Sequence, residues 1–439
     1  MSCMETTWHH SKMAVNQVRR KRKVILYLFS RTIMICLLVA RIYSGRVDAY
    51  TRPSCLFSPT RSSYQLSRLF SSLASETNSD LPIPQDVAIV GGGLAGLATA
   101  FHLLKKAPNT KITIFDKALP GCGGASSVAG GLLHPLSPKG KLVYLGLEGL
   151  SATNRLVDAA SQVGGRDCIL SNEIYRVATT EEQVSILMDT ANTLPSITEW
   201  RRREDLESDD FPKDVLGALR LHSGCMVLHM PSYVGGLWEA IQTIGNGPKT
   251  WICIESEPSE DWHNLLGKFD AVVLSAGSGL FQDSIVSRNL PMQLVRGQSV
   301  EMNYARKSNH AVLGGKYLSP LPDQDRVLIG ATHEYTDVPL DRDQVVAELR
   351  RRTSSFASEI WENGTIDRFT CGYRVQSNRG RHGRMPMVGK IDSPFHNNAW
   401  IYTGLSSRGL LYHGIFGEIL ANKMLQTDCE YNTVDLDWR

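Results

Sequence analysis

Short apolar runs alternate with helix-period stretches through most of the chain. Asp86-Val87-Ala88-Ile89-Val90 is a continuous apolar run with the length of a buried strand. After a glycine cluster, Leu94, Leu97, Ala98, Phe101 and Leu104 recur at helical spacing. Lys111–Asp116 then reads as a second strand, so folded sequence begins near Gln85 with a strand–helix–strand unit. Farther on, Ser171–Ala178 reads as a strand. Thr179-Thr180-Glu181-Glu182 after it has the wording of a capped helix start. The residues from Met226 to Val234 lead into an apolar helix, Gly235–Ile244. Phe269–Leu274 is an apolar strand ending in the small residues Ser275-Ala276-Gly277. Near the C-terminus a strand from Trp400, a Gly/Ser-rich turn and an apolar helix, Ile415–Met424, follow one another.

The first eighty residues have a different pattern. A basic block, Arg19–Lys23, precedes an apolar stretch, Val24–Ala40, interrupted by Arg31. Val47 and Ala49 stand three and one positions before a possible cut after Ala49. This is the grammar of a secretory signal over 1–49. The stretch falls short of the about 20 residues a membrane span needs, so a retained anchor over 24–40 is the second reading. Residues 50–80 are transit-like and disordered in expectation, because 50–75 hold eight serines, three arginines and no acid. The two segments together resemble a bipartite plastid presequence, with a secretory or anchored location as the alternative. No stable membrane partner is expected once the leader is removed.

Composition adds a division of charge. The chain has 439 residues and a formal net charge of +3, with 42% hydrophobic and 21% charged residues. That excludes wholesale disorder and a multi-span membrane protein. Residues 1–49 carry a net of +7 and 50–80 a net of +1, so the body is at −5. The total charge therefore gives no argument for a polyanion partner. Six cysteines after residue 80 are scattered without a CxxC pair, which suits a reducing compartment and gives no zinc spacing. No metal is expected.

Candidate chemistry begins at Gly91-Gly92-Gly93-Leu94-Ala95-Gly96, a GxGxxG between strand and helix. Gly91 allows the tight turn, Gly93 lets backbone approach a pyrophosphate, and Gly96 lets helix and strand pack closely. Leu94 and Ala95 open the helix, whose N-terminal N–H groups favour phosphate. Asp116, 20 residues past Gly96, can accept hydrogen bonds from ribose hydroxyls. The motif alone does not separate NAD from FAD. The following segment, Gly121 to Pro135, is small, polar and glycine-rich. It suits main chain running beside a flat ring system, and a plain NAD half-domain would reach its third strand sooner.

From here the chain resembles the D-amino-acid oxidase-like (DAO) flavoproteins, a family that includes glycine oxidase, sarcosine oxidase and the flavin domain of the bifunctional tRNA-modifying protein MnmC. The glycine loop, Asp116-Lys117 and the turn Ser126-Ser127 into Gly130-Gly131 carry the likeness. It continues through Leu294–Gln298, Lys316–Pro320, Val327–Glu334 and Cys371–Arg374. Met385-Pro386-Met387-Val388-Gly389 and Gly404-Leu405-Ser406-Ser407-Arg408-Gly409-Leu410 look closest to MnmC. The resemblance implies an α/β fold: a Rossmann-type FAD-binding domain with an interleaved α+β substrate domain on a mixed or antiparallel sheet. It divides the chain into FAD-binding parts at 85–165, 231–290 and 371–425, substrate-domain parts at 166–230 and 291–370, and a tail at 426–439. Ala276 and Gly277 would pass close to the cofactor.

The same resemblance implies FAD-dependent oxidation of the C–N bond of a small carboxylate-bearing amine, with oxygen or an electron carrier as acceptor. Arg374 matches the family's carboxylate-binding position, and an arginine fork suits that task. Arg408 is a second candidate. His134 would lie beside the ring system, and Tyr317 would offer a cavity hydroxyl. Ser407 stands where glycine-oxidase-type turns have an arginine, and the segment between Gly372 and Met385 is longer and more basic than in simple oxidases. No methyltransferase-like segment precedes the flavin region. The second reading, supported by the MnmC-like wording, is a flavoenzyme of tRNA wobble-uridine modification that removes a carboxymethyl group from a carboxymethylaminomethyl side chain. The cluster Arg374, Arg379, Arg381, His382, Arg384 and Lys390 supports that less favoured reading. A non-catalytic, flavin-stabilised assembly factor is the third.

Overall fold

The computed structural model describes residues 83–427, except 164–166, 207–210, 255–261, 282–289, 307, 324, 337 and 392–397. The leader, transit and tail readings fall wholly or almost wholly outside the described residues. Among the described residues no helix is long and apolar enough to cross a membrane.

Two sheets organise the fold. The first has six strands in the order Met387–Lys390, Ala399–Thr403, Ala271–Leu274, Asp86–Val90, Lys111–Asp116, Lys249–Cys253. All neighbours are parallel except the antiparallel edge strand Met387–Lys390. The apolar run Asp86–Val90 lies at the centre, with Val87, Ala88 and Ile89 fully buried, as a strand covered on both faces requires. The helix Leu94–Lys106 crosses to the second strand and packs against the C-terminal helix Gly409–Leu425. That C-terminal helix starts six residues earlier than its apolar period suggests, because Gly409 and Leu410 continue directly from the turn. Likewise the helix expected from Gly235 begins at Met230, with Pro231 in the first turn, where a missing N–H is harmless.

The second sheet has eight strands, in the order 365–377, 292–303, 326–330, 317–320, 311–313, 174–178, 217–221, 198–202. It is mixed: Ala311–Leu313 and Ile174–Ala178 run parallel, and the other neighbours are antiparallel. Alternation sorts its side chains. Val300, Val312, Leu318, Val327 and Ile329 turn to one face and pack under the helix Arg342–Asn363, against Val345, Leu349, Phe356 and Ile360. That helix is started by a reciprocal cap between Asp341 and Gln344. The residues between, including Ser299 and Tyr317, are left to the opposite face, where they line a cavity. One sheet thus supplies a dry core on one side and a chemical wall on the other.

Three buried histidines, His102, His310 and His413, and the half-buried His134 on the cavity wall are neutral in the fold. Burial is the largest cause in each, lowering His102, His134 and His310 to about 3 and His413 to about 4. In the unfolded chain these groups titrate near 6.5, so below that pH the unfolded state binds more protons. Stability is therefore expected to fall as pH is lowered from 7.5 to 5. Urea midpoints across that range check it; a flat or rising midpoint would contradict it.

Candidate functional site

A cavity of ≈ 780 Å³ runs from the glycine turn to the face of the eight-stranded sheet. At its first end the strand Asp86–Val90 stops at Gly91, whose φ is +103°. A Cβ at Gly91 would stand 2.5 Å from the Ala276 Cα, so side-chain-free backbone is required there. The helix from Leu94 has no acidic residue in its first turn, which leaves its positive end for an anion. The Ser126 hydroxyl accepts the Leu94 N–H at 3.2 Å. Asp116 closes the turn: its carboxylate accepts the N–H groups of Gly92 (2.7 Å) and Ala118 (2.8 Å). Asp116 and Lys117 both line the cavity, and each carboxylate oxygen keeps a further lone pair beyond the N–H it accepts.

The sequence-selected residues do not all reach the cavity. Gly91, Gly93, Leu94, Ala95, Asp116, Lys117, Ser126, Gly130, Gly131, Ala276 and Gly277 line it. Gly96 stands behind the wall, packed toward Gly91, Ser275 and Ile89. Ser127 turns its hydroxyl to the Gly124 carbonyl at 3.1 Å. Two contributors were not singled out from sequence. Ser275 donates to the Gly91 carbonyl at 2.8 Å and ties the small-residue strand end to the glycine turn. The Trp251 indole lies over Gly92, and its Nε1–H donates to the Ala118 carbonyl at 3.0 Å. A small residue after an apolar strand was a usable signal for Ser275; nothing local marks Trp251.

At the other end, the strand Ala399–Thr403 leads to Gly404 (φ +74°), a turn of 3₁₀ type at Ser406–Arg408 and the C-terminal helix. Gly404, Ser406, Ser407, Gly409 and Leu410 line the cavity, so a helix start points at it. Arg408 is placed off the wall, with its guanidinium beside the Tyr412 hydroxyl.

The sheet face brings Arg374 and Tyr317 to the cavity, and His134 joins them from the segment after Leu132–Leu133. Arg374 donates from Nη2 to the Thr332 carbonyl at 2.8 Å. Gly297 leaves the space it needs, since a Cβ there would come 2.5 Å from Nη2. Among the described residues no carboxylate pairs with Arg374. Burial lowers its pKa from the ordinary arginine value, a shift that a bound anion would offset. Tyr317 packs its ring over Gly130 and shares a hydrogen bond with Ser299 at 3.3 Å; burial raises its pKa and keeps the hydroxyl protonated. His134 accepts the Leu136 N–H on Nδ1 at 3.3 Å, so Nε2 carries the proton of the neutral ring. Burial, then the charges of Arg176 and Arg408, account for its low pKa.

A family profile described as "FAD dependent oxidoreductase" (DAO) matches residues 86–423. The chain belongs to this DAO family. In sequence it is 24% identical over 397 residues to the tRNA 5-methylaminomethyl-2-thiouridine biosynthesis bifunctional protein MnmC of Marinobacter nauticus, covering 81% of this chain and 59% of that protein. It is 27% identical over 264 residues to human D-aspartate oxidase, covering 58% and 71%. Over 105 residues it is 34% identical to glycine oxidase of Geobacillus kaustophilus, covering 23% and 27%. These sequence matches cover less than two thirds of the MnmC and glycine oxidase sequences. In structure it is similar to the G. kaustophilus glycine oxidase, with a TM-score of 0.64 at 22% identity over 81% of this chain and 98% of that one. The iminodiacetate oxidase of Chelativorans sp. BNC1 gives 0.60 at 17%, covering 80% and 97%. These likenesses show the DAO fold.

FAD is the cofactor of this DAO-family oxidoreductase, and the residues present fit it. The glycine turn gives a cradle that a Cβ would fill, the helix start offers N–H groups, and Asp116 offers ribose acceptors. Among the described residues no cluster of three or more His, Cys, Asp or Glu could hold a metal.

Proposed function

We propose that this FAD-dependent amine oxidoreductase acts on a small amino acid or secondary amine whose carboxylate is held by Arg374. The observation that carries the reading is a half-buried guanidinium on the cavity wall, without a carboxylate partner among the described residues. When bound, FAD supplies the two-electron acceptor for oxidation of the substrate C–N bond. The chain's own residues do the rest. Arg374 fixes the carboxylate end, and the Tyr317 hydroxyl and the His134 Nε2–H offer neutral donors around it. Neither of the last two is a base near neutral pH, so the amine must arrive neutral or lose its proton to water. The N–H groups at the Gly404–Leu410 turn would stabilise negative charge. Expected: turnover of a carboxylate-bearing amine, measured as imine-derived aldehyde or keto acid, far exceeds that of its amide. Equal turnover of the two would remove the reading, and peroxide release identifies oxygen as acceptor.

A second reading is supported by one surface feature. The segment after Arg374 forms a small hairpin with Gly380 paired to Gly383, exposing Arg379 and Arg381. His382 stacks on Tyr144 at 3.8 Å, which fixes the basic hairpin to the loop that carries His134. Such a surface could meet a phosphate backbone near a carboxymethylaminomethyl group. Anaerobic reaction with tRNA bearing that group, and none with free amino acids, would favour it.

A further inference from the structure

Behind Arg374 lies a buried polar network. Thr332, Glu334 and Arg296 are 1%, 7% and 8% exposed. The Glu334 carboxylate accepts from the Thr332 hydroxyl, from Gln298 Nε2 at 3.2 Å, from the Leu340 N–H at 3.1 Å and from Arg296 Nη1 at 3.4 Å. Burial alone would raise its pKa; the hydrogen bonds from Thr332, Leu340, Gln298 and Arg296 outweigh that and hold it below the usual value. Thr332 is clamped further. Its Oγ1 accepts the Gln298 N–H at 2.8 Å, and its own N–H donates to the Gln298 carbonyl at 2.9 Å. The Thr332 carbonyl then receives Arg374 Nη2 at 2.8 Å.

This arrangement has two effects on Arg374. One is directional: the carbonyl of a residue held by three hydrogen bonds through its hydroxyl and N–H takes one N–H of the fork and orients the guanidinium. The other is electrostatic. Glu334 is close enough for its charge to act on Arg374, yet its oxygens are engaged by Arg296, Gln298, Thr332 and Leu340. A free carboxylate there would be a competing partner for Arg374.

We propose that Thr332 and Glu334 are positioning residues for carboxylate recognition, with Arg296 holding the Glu334 charge away from Arg374. Thr332 aims the guanidinium through its carbonyl, and Glu334 locks Thr332. The inference rests on the reading of Arg374 as the carboxylate clamp, and the test separates the two.

The test uses the FAD-loaded full chain, with methoxyacetate and its neutral amide as probes, read by perturbation of the flavin spectrum. FAD content and thermal midpoint serve as folding controls. Thr332→Val is expected to weaken methoxyacetate about tenfold and leave the amide unchanged, because the isostere loses both hydroxyl bonds. Thr332→Ser keeps the hydroxyl and should stay within about twofold of the parent. Arg296→Met should also weaken methoxyacetate, and adding Glu334→Gln to it should recover affinity by removing the freed charge. A purely structural role would affect both probes alike and show no such recovery. Unchanged methoxyacetate affinity in Thr332→Val, an equal loss for the amide, or no recovery in the double variant overturns the proposal. If Thr332→Val loses FAD, the Arg296 pair of variants decides. Arg374→Ala measured beside them discriminates the cases. If it too affects both probes alike, or the parent does not bind methoxyacetate, the clamp reading fails and the positioning role falls with it. If Arg374→Ala is selective and the Thr332 variants are not, only the positioning role fails.

Discussion

Arg374→Ala is expected to weaken carboxylate-bearing amine substrates about a hundredfold, equivalent to about 2.7 kcal/mol, while uncharged amines change little. A buried, charge-assisted bond to a carboxylate is among the stronger side-chain interactions, and the cavity wall offers no other unpaired guanidinium among the described residues. Arg374→Lys should restore only part of the loss, since an ammonium supplies charge without the planar fork. The effect belongs mainly in KM if the clamp holds ground and transition states alike. Steady-state kinetics with an amino acid and its amide check this. An equal loss for both would show that Arg374 supports the sheet and does not read the substrate.

Gly91→Ala is expected to yield protein with FAD affinity lower by about a hundredfold or more. At φ +103° an alanine is strained, and its Cβ would meet backbone atoms of Ser275 and Ala276 that cannot swing aside. Relief requires the first strand and the 271–277 segment to separate, which pulls the helix start from the phosphates it faces. Titration of apoprotein with FAD, followed by flavin fluorescence, measures it. Retention of the yellow chromophore at parental affinity would mean that the pyrophosphate does not rest on this turn.

These two sites differ in how far the sequence alone leads to them. The first strand–helix–strand is written locally: one apolar run, one helical period and three spaced glycines specify the turn, and Asp116 follows at the strand end. Arg374 was reached through its place in a motif. What the strand pattern lacked was its environment. Thr332, Glu334 and Arg296 come together only because the chain after Gly330 returns beside 296–298, a pairing between segments about forty residues apart. Periodicity carries no record of such a pairing. Trp251 over Gly92 and His382 on Tyr144 are of the same kind, each joining distant segments. Arg408 shows the reverse limit. Its backbone belongs to the cavity turn, whereas its side chain leaves the wall for Tyr412, a choice made by rotamer and packing.

The same logic explains the charge. The net of +3 combines a strongly basic first eighty residues with a body at −5. Substrate attraction comes from one half-buried guanidinium whose nearby carboxylate is already engaged, and not from the total charge.

Anaerobic mixing of the FAD-loaded protein with glycine, sarcosine, proline, D-amino acids and their amides tests the central claim most directly. The account predicts that at least one of the free carboxylates bleaches the flavin absorbance, and that its amide at equal concentration does not. Flavin that stays oxidised with every carboxylate-bearing amine, or is bleached equally by the amides, would contradict it.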